Sequence, residues 1–248
     1  MSANDIALFS PSSDVAVERH STTPTVSRSM PGDATIEGRL TSPVARVPEA
    51  TTQCCGIAVK GRLIKTFAYT TDAAVIRNTN ADAILAVYPF TGEPVVTQAL
   101  LTVAQQPLFV GVGGGTTTGN RVVELAMVAE MQGAAGVVIN APAPTETVNA
   151  VMNAVDIPVI ATVTADDEDV EEKILAGAAI INVAAGRDTT ATVSSIRSRH
   201  PEIPILATCG RDDASIVDTI KAGADALNWT PPSAQELQSE MMTKYRNR

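Results

Sequence analysis

Three asparagines stand at the carboxyl ends of short apolar runs and are the first residues that could do chemistry. They are Asn140 in GVVINA, Asn182 in AIINVA and Asn228 in ALNWT, and Tyr88 lies near the end of a fourth run, AILAVYPF. A buried amide without a partner costs about 1–3 kcal/mol, so these side chains need something to bond. We therefore interpret them either as groups that orient a ligand or as a mutually hydrogen-bonded layer that closes a core.

The glycine-rich stretch VGVGGGTTTGNR, residues 110–121, could bind an anion. Consecutive glycines let the backbone approach a ligand closely, and the amides that follow could hold an anion at a helix start. The residues predicted to contact this anion are Gly114, Gly115, Thr116 and Arg121. No Gly-Lys-Ser/Thr follows, so the stretch is not a P-loop. The alternative interpretation is a flexible turn with a Thr or Asn helix cap.

A second anion site is predicted from arginines that follow later apolar runs. Arg187 lies in AAGRD, and Arg211 follows Gly210 in TCGRDD. Converging guanidinium groups suit a phosphate or a carboxylate. Ser233 begins the last helix-like stretch, and that helix start would offer a further seat for a phosphate. With Glu236 it also forms the Ser-x-x-Glu pattern of a capping box, which explains the same residues without a ligand.

Candidates for proton transfer and nucleophilic attack are few. Glu93, in YPFTGEP, is the candidate general base, although a first-turn helix carboxylate would look the same. Cys209 ends an apolar run, but no activating base is evident, so an inert thiol is the alternative. No lysine stands at the carboxyl end of a run, which disfavours a Schiff-base aldolase. The two histidines, His20 and His200, also lie elsewhere, which disfavours histidine catalysis and a histidine metal centre.

The aspartates give no metal motif, and no cofactor is predicted. They precede helix-like stretches and are predicted to be helix caps. The set is Asp72, Asp166, Asp167, Asp188, Asp212 and Asp213. Mg²⁺ bound by carboxylates such as Asp72, Glu93 or Asp188 stays open, without a motif that requires it.

Eight apolar runs must position these residues. They are TFAYT (66–70), AILAVYPF (83–90), LFVGV (108–112), GVVINA (136–141), PVIATV (158–163), AIINVA (179–184), PILATC (204–209) and ALNWT (226–230). Helix-like amphipathic stretches separate them, which indicates βαβ units and a parallel sheet. Eight such units predict a compact (β/α)₈ TIM barrel, whose site lies at the carboxyl ends of the strands. An open doubly wound sheet is the alternative, but the GxGxxG typical of it is absent.

Internal repetition supports the barrel. DIPVIATVTADDED (156–169) matches EIPILATCGRDDAS (202–215), and AGAAIIN (176–182) matches AGADALN (222–228) at the same offset of 46 residues. The repeating unit is therefore two strands and two helices. The match aligns Asn182 with Asn228. Because alternate strands contribute to one layer of a barrel, we expect Asn140 and Tyr88 to share that layer near the mouth.

Composition limits the partners and the compartment. The 248 residues carry a formal net charge of −9 without a dominant basic patch, so nucleic acid is not expected as a partner. No apolar run reaches about 18 residues, so no membrane span is expected. Three cysteines fit a reducing compartment, and we predict a cytoplasmic protein. Residues 1–60 are rich in Ser, Thr and Pro, which predicts a low-complexity, disordered extension before a barrel at 64–248.

Residues 64–248 resemble the compact aldolase-type, ribulose-phosphate-binding class of barrels, such as KDPG aldolases and N-acetylmannosamine-6-phosphate epimerases. The resemblance rests on the GADAL entry to the last run, on IPILATCG before it and on a short final helix. Two features depart from the class: Asn228 stands near the place of the aldolase lysine, and residues 230–233 (TPPS) replace a glycine-rich phosphate turn. FAYTTDAAVIRNTNADAILAVYPF and FVGVGGGTTTGNRVV are also similar to an uncharacterised bacterial barrel family labelled as hydrolase, a label that implies no established mechanism.

The residues and the resemblance together predict an enzyme that acts on a small anionic, phosphorylated metabolite. It would be a lyase, isomerase or hydrolase without a Schiff base. A non-catalytic barrel that binds a metabolite or regulates a partner is the second hypothesis, favoured by the few titratable groups at the run ends. A hydrolase that uses Cys209 or a carboxylate-bound metal is the third. Fold analogy alone suggests a homo-oligomer.

Overall fold

The structure, a computed structural model, describes residues 25–28, 34–37, 43–166 and 168–246. Two short strands, β1 (Thr25–Arg28) and β2 (Ala34–Glu37), pair antiparallel and belong to a first unit that ends at Ser42. The rest of the predicted extension up to that residue lies outside the described residues. The second unit begins at Pro43, so residues 43–60 belong with the barrel and the boundary lies earlier than residue 60.

A hairpin closes the amino-terminal end of the barrel. After a 3₁₀ turn (Glu49–Gln53) come β3 (Ile57–Val59) and β4 (Arg62–Ile64), which pair antiparallel. Lys60 and Gly61 between them both have positive φ, as a two-residue hairpin turn requires. The inward side chains Ile57, Val59 and Ile64 are buried in one apolar cluster with the barrel interior. β3 fell within the predicted extension; its burial alternates, but the exposed position between Ile57 and Val59 is Ala58 and not a polar residue.

The eight predicted strands form a closed parallel barrel, so the predicted TIM barrel is confirmed. The strands are β5 (Thr66–Tyr69), β6 (Ala83–Ala86), β7 (Leu108–Gly113), β8 (Gly136–Ile139), β9 (Val159–Val163), β10 (Ile180–Val183), β11 (Ile205–Thr208) and β12 (Ala226–Trp229). Each strand pairs with the next, and β12 pairs with β5. Nearly continuous apolar strands are expected here, because helices cover the sheet outside and side chains fill it inside.

Eight helices follow the strands and form the outer layer. They are α1 (Ala73–Arg77), α2 (Pro94–Val103), α3 (Asn120–Met131), α4 (Thr145–Met152), α5 (Glu168–Leu175), α6 (Thr189–Arg199), α7 (Asp213–Lys221) and α8 (Ala234–Arg246). Buried residues of the helices and the outward strand residues form one large apolar cluster. Within the described part of the chain, no helix has the length and apolar character needed to cross a membrane.

The interior of the barrel is filled by layers taken from alternate strands. One layer holds Phe67, Phe109, Ile160 and Leu206, all buried. The rings of Phe67 and Phe109 meet edge to face, with centroids 5.1 Å apart. The next layer toward the carboxyl ends holds Leu85, Val138, Asn182 and Asn228. Chemistry can begin only at this layer, because everything beneath it is apolar.

Carboxylates fix the amino-terminal ends of two strands. One oxygen of Asp82 accepts the backbone N–H groups of Lys65 and Thr66, at 2.9 and 3.0 Å. Asp225, at the equivalent place on β12, accepts the N–H of Ile205 at 2.8 Å and pairs with Arg197 at 2.5 Å. These residues lie at the end of the barrel opposite the site, where they stabilise the fold.

Candidate functional site

Polar side chains form a ring at the carboxyl ends of the barrel strands. Because side chains alternate along a strand, Tyr69 lies on the same face as Phe67, and Thr208 on the same face as Leu206. Thr162 and Asn182 are opposite each other on β9 and β10 and are 5% and 3% exposed. Tyr69, Thr162 and Thr208 were not singled out from the sequence. Residues two apart on a strand face the same side, so counting two residues on from Phe67, Ile160 and Leu206 would have identified them.

A chain of hydrogen bonds joins four neighbouring strands across this ring. The Asn182 amide donates to the Thr162 hydroxyl at 3.0 Å, and that hydroxyl donates to Oδ1 of Asn140 at 3.4 Å. The Asn140 amide in turn donates to the Gly113 carbonyl at 3.3 Å. The chain connects the centre of the barrel to the start of the glycine-rich loop, so the two predicted groups of residues are physically linked.

Two amide oxygens of the ring have no hydrogen-bond partner among the described residues. They are Oδ1 of Asn182 and Oδ1 of Asn228. The amide nitrogen of Asn228 donates to the Thr208 hydroxyl at 3.4 Å, and the residue is 2% exposed. A buried carbonyl oxygen without a partner is costly, so each of these atoms calls for a donor from a water or a ligand. Hydrogen bonds among the described residues therefore leave the amide oxygens of Asn182 and Asn228 without a donor.

The predicted asparagine layer needs a correction. Gly133, Gly177 and Gly223 all have positive φ and end the helices before β8, β10 and β12. Counted from these glycines, Val138 rather than Asn140 is equivalent to Asn182. Asn140 lies two residues beyond Val138, past the layer of Thr162, because it follows Gly133 by seven residues whereas Asn182 follows Gly177 by five.

Tyr88 does not belong to the layer either. Leu85 occupies the place on β6 that corresponds to Asn228. The Tyr88 hydroxyl instead accepts the backbone N–H of Glu93 at 3.0 Å. The ring is therefore polar on the side of β9 to β12 and apolar at Leu85 and Val138.

The glycine-rich loop after β7 folds back on itself. The Gly114 N–H donates to the Thr117 carbonyl at 3.2 Å, and the buried Thr117 hydroxyl accepts the N–H of Gly92 at 2.9 Å. A Cβ at Gly114 would lie 2.4 Å from the Asn140 carbonyl oxygen, so close backbone approach requires glycine there. Gly115 has a φ of +67° and nothing near its missing Cβ. The loop is a turn held by hydrogen bonds. Packing explains the glycine at position 114 but not the one at position 115.

A pocket of about 340 Å³ lies between this loop and the loop after β8. Its lining includes Gly114, Gly115, Thr118 and Gly119 on one side and Pro142–Pro144 on the other. Gly119 is the N-cap of α3, and no side chain from the described residues caps that helix start. A helix N-terminus left uncapped attracts anions.

Two of the predicted contacts at this loop lie differently. Thr116 is exposed and is not part of the pocket lining, whereas Thr117 and Thr118 are. Arg121 is exposed in the first turn of α3. The structure therefore brings Gly114 and Gly115 to the pocket, and neither Thr116 nor Arg121 lines it.

The second predicted anion site already contains a carboxylate of the chain. The Ser233 N–H and hydroxyl donate to Oε2 of Glu236 at 2.8 and 2.9 Å, which confirms the capping box. These bonds, with Arg211 nearby, hold the pKa of Glu236 below its usual range. A Cβ at Gly210 would lie 2.3 Å from the Ser215 hydroxyl, so local packing explains that glycine. Arg187 and Arg211 are both exposed.

The candidate base and nucleophile lie outside the polar ring. Glu93 is exposed at the N-cap of α2 and makes no side-chain cap bond within the described structure. Cys209 packs against the apolar layer outside the barrel, since it follows the inward Thr208 on the strand. Burial raises the pKa of the Cys209 thiol to about 11, which keeps it protonated near neutral pH. Burial also raises the pKa of Tyr69.

The predicted aspartate caps are confirmed at two positions. Asp72 accepts the N–H groups of Ala74 and Val75, and Asp212 accepts that of Ser215. Asp188 is an N-cap without a side-chain cap bond in the described structure, and Asp166 pairs with Arg199 instead. Asp213 lies within α7, and Asp167 lies outside the described residues. Among the described residues, no group of three or more His, Cys, Asp or Glu could hold a metal ion.

Comparison with known proteins shows the fold. No protein-family model and no curated protein matches the sequence. A phosphoenolpyruvate phosphomutase from Streptomyces platensis subsp. rosaceus is 16% identical, with a TM-score of 0.57 over 75% of this chain and 81% of its own. A phosphonopyruvate hydrolase in complex with oxalate and Mg²⁺ is 13% identical, with a TM-score of 0.55 over 74% and 80%. A 4-hydroxy-tetrahydrodipicolinate synthase from Methylacidiphilum fumariolicum SolV is 15% identical, with a TM-score of 0.56 over 71% and 70%. At these identities the likeness shows the (β/α)₈ barrel fold alone.

Proposed function

We propose that the protein is an aldolase-type barrel enzyme that binds a small phosphorylated metabolite at the carboxyl ends of its strands. The reaction would be of the lyase, isomerase or hydrolase type, without a Schiff-base lysine. The observation that carries the proposal is the pocket of about 340 Å³ beside the uncapped start of α3. Its volume falls at the lower end of the range of about 300–1,000 Å³ that is usual for small-ligand sites.

The chemistry of this pocket suits a phosphate. Backbone N–H groups at a helix start point outward and carry partial positive charge, which favours an anion. Gly115 and Gly119 leave open space where side chains would otherwise block access. Arg121, in the first turn of α3, is exposed and does not line the pocket, and its long side chain would have to reach the phosphate oxygens from outside it. The proposal assigns one anion to this place and none to Ser233, because Glu236 already uses the Ser233 donors.

The reacting part of the metabolite would lie over the polar ring. Asn140, Asn182 and Asn228 would orient its polar groups. Tyr69 has a raised pKa, so its hydroxyl stays protonated and can donate a hydrogen bond or a proton. Glu93 is the proposed base, since the residues just before it border the mouth beside Gly111 and Asn140.

Mg²⁺ does not fit the donors of the polar ring. Mg²⁺ is usually bound through one or two carboxylates, whereas the ring offers amides and hydroxyls. Asp72 uses its carboxylate for three backbone N–H groups, those of Ala74, Val75 and Ala234. We therefore derive no step through a metal.

The neutral character of the ring favours a second candidate function, a barrel that binds a metabolite without converting it. No Asp, Glu, Lys or His is among the described residues of the ring, so proton transfer has few participants. A hydrolase that uses Cys209 is disfavoured by the raised pKa of its thiol and by its position outside the barrel.

Titration calorimetry with inorganic phosphate and with phosphate monoesters tests the proposal on the full chain. We expect saturable binding to the wild type and about tenfold weaker binding to Arg121→Ala, since one charge-assisted contact is lost. Arg211→Ala is the matched control, because Arg211 is also exposed in a loop at this end of the barrel and should leave binding unchanged. Binding lost equally in both variants, or absent from the wild type, would refute the site at α3.

Proton NMR of the bound esters in D₂O then separates the two candidate functions. An enzyme of the proposed type exchanges or consumes a substrate signal. A binding protein leaves every signal unchanged over the same time.

A further inference from the structure

We infer that Asn182 and Asn228 form a subsite for uncharged hydroxyl groups of the ligand, and that no anion enters this part of the mouth. The inference rests on the proposed function and specifies which end of the metabolite faces the barrel. Two buried amide oxygens without a partner, on strands β10 and β12, carry it. Both residues are at least 97% buried, so bulk water does not satisfy these atoms.

The orientation of the amides makes the subsite an acceptor. Each asparagine already uses its NH₂ group, for Thr162 in one case and Thr208 in the other. Each NH₂ group keeps a second N–H, but the carbonyl oxygen is the atom without any partner, and it accepts hydrogen bonds and repels an anion. A carboxylate or phosphate placed here would face two acceptors in a desolvated site, which is unfavourable.

The absence of nearby charge selects a hydroxyl over an ammonium group. Among the described residues of the ring, none carries a carboxylate that could pair with a cation. A buried ammonium would therefore lose its hydration without a counter-ion. A hydroxyl donates to a carbonyl oxygen without that penalty, and it can also accept from Tyr69 or Thr208, whose hydroxyls lie in the next layer outward.

The geometry calls for more than one hydroxyl. Strands β10 and β12 are two strands apart, so their backbones lie about 9–10 Å from each other. Asn182 and Asn228 thus bind separate groups. Leu85 and Val138 complete the same layer with apolar side chains, which suits the hydrocarbon face of the ligand.

Ligand-free stability tests the inference without knowledge of the substrate. We expect Asn182→Leu and Asn228→Leu to match or exceed the wild-type Tm, because each removes a buried acceptor that has no protein partner. The control is Asn140→Leu, which should lower the Tm, since both amide atoms of Asn140 are bonded. Asn182→Val serves where leucine overpacks, because Val138 already fits this layer. A Tm loss in the Asn182 and Asn228 variants as large as in the control would make the asparagines structural and overturn the inference.

Selectivity tests the inference with defined probes. Erythritol 4-phosphate and 4-phosphoerythronate share a phosphate and differ in a terminal hydroxymethyl or carboxylate group. We expect the wild type to bind the first at least about tenfold more tightly, and Asn182→Val to lose that preference. Equal affinities would overturn the hydroxyl subsite. Inorganic phosphate is titrated alongside. If inorganic phosphate binds but the two esters bind equally, the proposed function stands and only the hydroxyl subsite is overturned. If inorganic phosphate fails to bind, the proposed function itself is refuted.

Discussion

Alanine at two neighbouring glycines should have very different consequences. At Gly115, φ is +67° and the added Cβ meets nothing within 4 Å. The left-handed backbone lowers the free energy of unfolding of Gly115→Ala by about 1–2 kcal/mol. Alanine also restricts the unfolded chain, which returns about 0.4–1 kcal/mol. At Gly114, φ is +95° and the Cβ would lie 2.4 Å from the Asn140 carbonyl oxygen.

A contact that short forces the loop or β8 to move, and we expect Gly114→Ala to lose at least about 3 kcal/mol. In a chain of this size that is at least roughly 6–12 °C in Tm, whereas the net cost of about 0–1.6 kcal/mol for Gly115→Ala corresponds to about 0–6 °C. Thermal and urea unfolding of both variants measure the difference. Phosphate affinity should fall in both, since both line the pocket. Equal stability of the two variants would refute the close approach of the loop to Asn140.

Three further outcomes are expected. Cys209 should react slowly with iodoacetamide at neutral pH, and its rate should rise as the pH approaches the thiol pKa of about 11; fast alkylation at pH 7 would contradict its burial. The Ser215 amide that donates to Asp212 lowers the pKa of that carboxyl below 3.8, so its stabilisation is present above this pH and is lost as the pH falls through the lowered pKa. The Tm advantage of the wild type over Asp212→Ala should therefore shrink in acid, and a constant difference would argue against the cap. Asp225→Ala should cost about 1–3 kcal/mol in urea unfolding, because Arg197 and the Ile205 amide lose their acceptor, and no loss would show that the pair is dispensable.

The sequence was sufficient for the barrel because each strand is a short apolar run and each helix carries its own start or stop signal. Asp72 and Asp212 begin helices, and Gly177 and Gly223 end them. These signals are local, and their alternation leaves few topologies. The closing hairpin was missed because its Ile57 and Val59 follow a stretch rich in Ser, Thr and Pro, and because Ala58 and Leu63 leave its two short strands without an apolar–polar alternation.

The site was less predictable because it depends on register. Asn140 stands near the end of an apolar run as Asn182 does, yet it follows its helix-ending glycine by two residues more, and such a shift moves the side chain outward past the layer of Thr162. The position of Cys209 depends on register in the same way, because the residue after an inward Thr208 faces outward. The Ser-x-x-Glu pattern already offered a capping box as the alternative to an anion site. The structure adds that the Ser233 N–H and hydroxyl both donate to Glu236 and are therefore not free for an anion.

In the proposed function, a phosphate binds at the start of α3, beside the glycine-rich loop. Backbone amide NMR of the ¹⁵N-labelled protein during titration with inorganic phosphate tests it most directly. We predict saturable shifts of the Gly115 and Gly119 amides, while the Ser233 amide, already bonded to Glu236, stays unchanged. Shifts confined to Ser233 and its neighbours, or no saturable shift at Gly115 and Gly119, would contradict the account.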